Sequence, residues 1–311
     1  MGKIIGPGSL IVDLTGYAPR LPIAGQTVMG TRFQLGPGGK GSNQMTAAAR
    51  AGASVKLIGC WGDDPLGKAL RDHYNREGMS TEYIRTSKEK ETGVALIEVE
   101  EESAQNRIII LPGASDELME ADVLAAEGDF ADSDVVLCQF ETSLSSIETA
   151  LKLGKKYCKP IVLNPAPYVD VPRSFYDGID YLTPNETEAE AITGVHIEST
   201  SDARKAAEIL LGMGVKKAVI TLGKNGSYFW DGSRELHLPC LPMKAVDSTG
   251  AGDAFSGGLA AAISFGLDDS SAMKFASCVS NLSVTRPGSS LSMPHAEEIR
   301  DLLRNAYGIQ I

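Results

Sequence analysis

The chain has 311 residues, 43% of them hydrophobic and 22% charged, with a formal net charge of −11. That apolar share supplies a sizeable core and excludes a disordered chain. The acidic balance excludes a nucleic-acid partner, because phosphate-backbone binding needs a basic surface, yet it leaves a nucleotide open. Five cysteines (Cys60, Cys138, Cys158, Cys240 and Cys278) are odd in number and never in CxxC spacing. They predict reduced thiols rather than a disulfide framework or zinc site. MGKIIGPGSLIVDL is too short in apolar length for a signal peptide, and no run approaches membrane-spanning length. A soluble, cytoplasmic protein without a membrane partner is expected.

In chain order, Lys3 to Asp13 reads as a buried strand that ends at an acid. Residues 15–35 are rich in Gly, Pro and Thr and lack a helical period, which predicts short surface strands and turns. Gly36-Pro37-Gly38-Gly39-Lys40-Gly41 then opens a helix from Ser42 to Ala51. Val55–Cys60 predicts a strand and Leu66–Glu77 an amphipathic helix. Residues 91–111 alternate strongly and predict a hairpin with a polar turn near Glu101–Gln105. From Val135 the pattern becomes strand–helix alternation. Its strands are Val135–Phe140, Pro160–Leu163, Tyr181–Thr183 and Ala218–Leu222; helices are expected near Ser145–Tyr157, Glu186–Ile192 and Ser201–Gly212. That rhythm predicts an α/β fold with a mostly parallel central sheet covered by helices. The segments near 14–36 and 91–111 are expected to pair into a small β-sheet lid beside this single domain.

Each late strand ends at a polar or glycine residue: Glu141, Asn164, Asn185 with Glu188 beyond, and Gly223 with Gly226 beyond. Open parallel sheets bind ligands at that edge. Gly36-x-Gly38-x-x-Gly41 matches a dinucleotide fingerprint literally, which keeps an NAD-dependent dehydrogenase as an alternative. It is not a Walker A loop, because Gly41 follows Lys40 where Ser or Thr is required. A glycine turn that lets a polyhydroxyl ligand approach, with Lys40 and Asn43 reaching its oxygens, is the other use. Asn185-Glu186-Thr187-Glu188 fits a helix N-terminus with acidic first-turn residues, or an Asn and a Glu orienting water around Mg²⁺. Thr221 to Gly226 fits a plain strand and turn, or Gly-lined backbone against a nucleotide. No histidine falls in these segments, which argues against a His triad or histidine metal site.

The stretch AVDSTGAGDAFSGGLAAA, from Ala245 to Ala262, carries the most chemistry. Gly250-Ala251-Gly252 precedes a run of small and apolar residues that reads as a tightly packed helix. Uncovered N–H groups and the positive end of the helix dipole suit a phosphate. Asp253 at the same spot is either an ordinary first-turn acid or a base that deprotonates a hydroxyl beside the anion cradle.

These residues resemble the ribokinase (phosphofructokinase-B) family of carbohydrate kinases over essentially the whole chain. Gly38-Gly39-Lys40-Gly41-Ser42-Asn43-Gln44 is similar to the family's N-terminal signature, and Asp247 to Asp253 to its C-terminal one. LNPAP (163–167), TPNETEAE (183–190) and TLG (221–223) look like its ribose kinases in particular. The resemblance implies a three-layer fold and ATP-dependent transfer of the γ-phosphoryl group to a sugar's terminal CH₂OH. It implies Asp253 as base, with Gly250, Ala251 and Gly252 as the anion hole. Gly39, Lys40, Asn43, Asp13 and Glu141 would hold the sugar, with Ile110 lining the pocket. Asn185, Thr221, Gly223, Lys224, Gly226 and Gly252 would meet ATP, and Glu188 would help to organise Mg²⁺. A K⁺ site would draw on Asp247, Thr249, Ser283, Arg286, Gly288 and Ser292, largely through carbonyls. A homodimer through the lid is also implied.

One departure stands out. The family's ribose kinases have Asn two residues before the sugar-binding Asp, where this chain has Ile11. Isoleucine cannot pair a hydroxyl, and an unpaired one costs roughly 1–3 kcal/mol, so 2-deoxyribose is expected to gain relative to ribose. The adenine-side helix also differs, reading Ser277-Cys278-Val279. A nucleoside kinase of the same family, and a non-catalytic sugar-binding regulator, stay open as alternatives.

Overall fold

The computed structural model describes residues 1–102 and 105–311. The strands are Lys3–Pro7 (β1), Ile11–Ala18 (β2), Arg32–Gly38 (β3), Ser54–Gly62 (β4), Ile84–Ser87 (β5), Gly93–Glu100 (β6), Asn106–Leu111 (β7), Val135–Gln139 (β8), Ile161–Asn164 (β9), Tyr181–Leu182 (β10), Lys217–Thr221 (β11), Ser227–Trp230 (β12) and Glu235–Leu238 (β13). Among the described residues ten α-helices join them. They are Lys40–Arg50 (α1), Pro65–Arg76 (α2), Glu120–Leu124 (α3), Glu127–Asp132 (α4), Leu144–Lys156 (α5), Glu186–Thr193 (α6), Thr200–Gly212 (α7), Ala251–Ser264 (α8), Asp269–Ser283 (α9) and Ala296–Tyr307 (α10).

The main sheet has nine strands in the order β13-β12-β11-β10-β9-β8-β1-β4-β5. Seven run parallel, and β12 and β13 extend the edge antiparallel. Strands covered on both faces take apolar side chains at nearly every position, and VVLCQ and IVLN are buried throughout, with polar Gln139 and Asn164 only at their carboxyl ends. One core layer packs α1, α8, α9 and α10 on one face of the sheet; the second packs α5 and α7 on the other. Local capping fixes where helices begin: the Asp64 carboxylate accepts from the Leu66 and Gly67 amides, with Pro65 at the first helical position. Chain order reverses at β1, which lies between β4 and β8, and this puts a crevice at the carboxyl edge there.

The expected strand from Lys3 to Asp13 is in fact two. β1 ends at Pro7, and β2 begins at Ile11 in a separate four-stranded sheet of order β3-β2-β6-β7. The break has a steric cause. The start of α1 crosses at Gly8, where any side chain would meet the Gly41 Cα at 2.6 Å. The lid is therefore longer than expected on its first strand, and Asp13 sits on it. Part of the polar turn expected near Glu101–Gln105 lies outside the described residues.

Gly36 and Gly38 lie inside β3, paired with Asp13 and Ile11. They form no turn between a buried strand and a helix, so the dinucleotide-fingerprint reading fails and the dehydrogenase alternative with it. Among the described residues, no helix is long and apolar enough to cross a membrane.

Candidate active site

Helix α8 begins at Gly250, which holds the left-handed conformation (φ 75°) that a residue with a Cβ rarely adopts. The Gly250 and Gly252 amides have no hydrogen-bond partner among the described residues. A carbon added at Gly252 would meet only open space. The Ala251 amide is different. It donates to the Ser248 carbonyl (3.2 Å), closing the turn that starts the helix, so of the three amides expected to face an anion those of Gly250 and Gly252 are the open ones.

Asp253 follows in the first turn of α8 and is 5% exposed. Its Oδ2 accepts from Asn43 Nδ2 (2.9 Å) and its Oδ1 from Gln44 Nε2 (3.0 Å). Both donors stand on α1, which packs against α8 closely because α8 presents glycine there. A carbon added at Gly257 would meet the Gln44 carbonyl oxygen at 2.3 Å. Helix α1 carries no side-chain cap of its own, and Glu141, just past β8, supplies one. Its Oε2 accepts from the Lys40 amide (2.7 Å) and from the Ser9 hydroxyl (2.6 Å). The Lys40 ammonium is held charged, above all by Asp253 and also by Glu141. Burial pushes the Glu141 carboxyl up, and Lys40 opposes that shift.

A cavity of about 150 Å³ brings Lys40, Asn164, Asn185, Glu188, Thr221 and Gly250–Asp253 together. It adjoins a larger one, about 690 Å³, that shares Asn185, Thr221 and Gly252 and adds Gly223, Lys224 and Gly226. Leu241, Met243, Phe255 and Val284 form its apolar wall, and Ser277 and Asn281 line it from α9. A flat apolar slot joined to a small polar chamber suits a nucleotide base and its phosphates. Asn185 and Glu188 form a reciprocal capping box at α6, so the helix-terminus reading of NETE is correct as far as it goes. Glu188 is nonetheless buried, faces the small chamber, and has its carboxyl pushed up by that burial.

On the lid side, Asp13 is half-buried and accepts from the Ser289 hydroxyl (2.6 Å). Burial pushes its carboxyl up to about 6, with Glu141 and Asp253 adding to the shift. Ile11 is buried two residues earlier on the same face of β2. Ile110 shares a cross-strand row with Ala95 and Asp13 but is 44% exposed and lines none of the three cavities at this edge, among the described residues. Ile108 does line one, a cleft of about 280 Å³ between the lid and residues 246–249 and 287–291. In that segment Asp247 accepts from the Thr249 and Gly288 amides (2.9 Å each), pinning two turns together. The Ser283 and Ser292 hydroxyls donate to the Ser280 and Ser289 carbonyls, and Arg286 pairs with Glu298. Ser9, Ser289 and Ser290 were not singled out from sequence. Their only signal is position, beside Gly8 and Gly288, where small residues let loops approach.

This fold, with a buried acid beside open amides at a helix start, suits a phosphotransferase acting on an alcohol group. The chain belongs to the pfkB family of carbohydrate kinases: the profile of that family matches residues 1–296. It is 36% identical to the ribokinase of Haemophilus influenzae over 299 residues, 96% of this chain and 97% of that one. It is 33% identical to the deoxyribokinase of Salmonella typhi over 297 residues, 95% of this chain and 97% of that one. The structure of Arabidopsis thaliana ribokinase complexed with ribose and ATP superposes with a TM-score of 0.89 at 28% identity, covering 98% and 99% of the two chains.

A carboxyl that titrates near 6 in the fold and near 3.8 when unfolded holds its proton longer in the folded state. Folding stability then falls as pH rises from about 4 to about 6, by roughly 2–3 kcal/mol for Asp13. Asp13→Asn is predicted to raise Tm by several degrees at pH 7.5, with a gain that shrinks towards pH 5, while raising the sugar KM at least about tenfold. Thermal melts across that range and initial-rate kinetics check both halves.

Proposed function

We propose that the chain is an ATP-dependent pentose kinase that phosphorylates the terminal hydroxyl of ribose or 2-deoxyribose. The observation that carries this reading is the meeting of a buried carboxylate, two open amides and Lys40 in one small chamber beside an apolar slot. The similarity to ribokinases and to a deoxyribokinase over nearly full length supports the pentose.

In this reading Asp13, Glu141, Asn43 and the Gly39–Lys40 backbone hold the sugar, and Ile110 reaches it as the lid closes. Asn185, Thr221, Gly223, Lys224 and Gly226 hold ATP. Asp253 takes the proton of the primary hydroxyl as that oxygen attacks the γ-phosphorus in line; the bond to the β–γ bridging oxygen breaks, leaving ADP. The Gly250 and Gly252 amides, with Lys40, neutralise charge on the transferring group, and the closed lid keeps water out. Glu188 fits a Mg²⁺ site: its buried carboxyl bears a desolvation cost that a cation offsets. Among the described residues no cluster of three His, Cys, Asp or Glu makes an all-protein cage, so water and phosphate oxygens would complete the shell. Mg²⁺ there would neutralise phosphate charge. K⁺ would be held by Asp247, Thr249, Ser283, Arg286, Gly288 and Ser292, mostly through carbonyl oxygens of the two turns that Asp247 joins.

The lid's outer face supports a dimer. Leu35, Leu14, Leu96 and Ile109 form one cross-strand row, and Phe33 (67% exposed) lies close by on the same face. A second copy would cover this surface; a sedimentation mass of one chain would count against it.

Asp253→Asn is predicted to lower kcat by about 10²–10⁴-fold with sugar binding largely kept. ADP release with ribose, 2-deoxyribose, ketohexoses and nucleosides, with and without K⁺, measures it and separates a kinase from a binding-only regulator. Near-normal turnover in the variant contradicts the assignment. Ile11 favours 2-deoxyribose, because methyl groups stand on the Asp13 face of β2. The ratio of kcat/KM for ribose to that for 2-deoxyribose is predicted to rise about tenfold in Ile11→Asn. An unchanged ratio removes Ile11 from the specificity argument.

A further inference from the structure

Asp253 receives one amide hydrogen on each carboxylate oxygen, from consecutive residues of α1. Asn43 Nδ2 lies 2.9 Å from Oδ2 and Gln44 Nε2 lies 3.0 Å from Oδ1. Neither amide is free to turn over. The Ser290 hydroxyl donates to Asn43 Oδ1 (2.6 Å), which fixes that amide with its NH₂ towards Asp253. Gln44 Nε2 also donates to Asn164 Oδ1 (3.0 Å), and Asn164 Nδ2 is committed to the Thr183 carbonyl (2.7 Å). A reversed Gln44 would set its carbonyl oxygen against two acceptors. Gln44 is 0% exposed, so it touches neither sugar nor nucleotide. Its Oε1 has no hydrogen-bond partner among the described residues, which a side chain kept only for stability would not be expected to leave buried.

We propose that Gln44 is a positioning residue for the base: with Asn43 it clamps the Asp253 carboxylate in one orientation, and Asn164 and Ser290 hold the clamp closed. This rests on Asp253 being the base. Each oxygen has one lone-pair direction filled by α1, and the remaining directions are left for the hydroxyl that enters the chamber. Asn164 ends β9 and Thr183 follows β10, so the clamp ties the base to the carboxyl edge of the main sheet.

Gln44→Met keeps the length and volume of the side chain and removes both donors. It is expected to lower kcat about 10- to 100-fold. KM values for pentose and ATP should stay within about threefold, since Gln44 contacts neither. A folded variant with unchanged kcat, or one whose loss lies in KM, overturns the proposal. If Gln44→Met does not fold, Gln44→Glu keeps the shape but turns a carboxylate on Asp253; a larger kcat loss is expected, and wild-type behaviour overturns the clamp. Asp253→Asn serves as the reference. Wild-type-like Gln44 variants beside an inactive Asp253→Asn remove the clamp alone, whereas an active Asp253→Asn removes the base assignment beneath it.

Discussion

The carboxylate of Asp253 is buried between the first turns of two helices, and a charge in that position is tolerable only if hydrogen bonds replace the water it has lost. Asn43 and Gln44 supply them from α1. That requirement sets the distance between α1 and α8, and a side chain at Gly257 would not allow it. It also ties two distant signature motifs to each other, since residues 43 and 44 are more than two hundred positions from 253. The same α1 is capped by Glu141 from the other side of the crevice. Buried acid, helix cap and open amides are thus parts of one connected arrangement.

The topology explains why the arrangement falls where it does. β1 and β8 are neighbours, and the chain leaves them in opposite directions. Their carboxyl ends place Ser9 and Glu141 side by side, in hydrogen-bond contact. The lid rises from the same point, because β2 starts four residues after β1 ends. Asp13, on the lid, is fastened by Ser289 from the segment before α10. Lid, body and the turns around Asp247 therefore meet at one end of the crevice, while α9 and the β11 turn form the other.

Much of this was legible in the sequence. Apolar runs ending in Glu141, Asn164, Asn185 and Gly223 marked the main strands and the edge where they end, because strands buried on both faces cannot hide their character. The start of α8 was equally readable, since Gly250-Ala251-Gly252 stands ahead of an unbroken run of small and apolar residues. The break at Gly8 was not. A close backbone approach depends on a partner, Gly41, that lies far along the chain. Gly36-x-Gly38 misled for a related reason: in β3 these glycines serve the close approach of Asp13, whose carboxylate a Gly38 side chain would meet at 2.1 Å. The engaged Ala251 amide and the roles of Ser289 and Ser290 depend on turn geometry and on contacts across nearly the whole chain length. Spacing alone does not carry them.

The proposed transfer requires a carboxylate and two amides to converge where a phosphoryl group passes from ATP to a sugar. A crystal structure grown with pentose, ADP, Mg²⁺ and aluminium fluoride, which mimics the transferring group, tests it. The aluminium fluoride is expected within hydrogen-bond distance of the Gly250 and Gly252 amides, with the sugar's terminal oxygen against Asp253. Aluminium fluoride bound elsewhere, or a terminal hydroxyl turned away from Asp253, would contradict the proposed transfer.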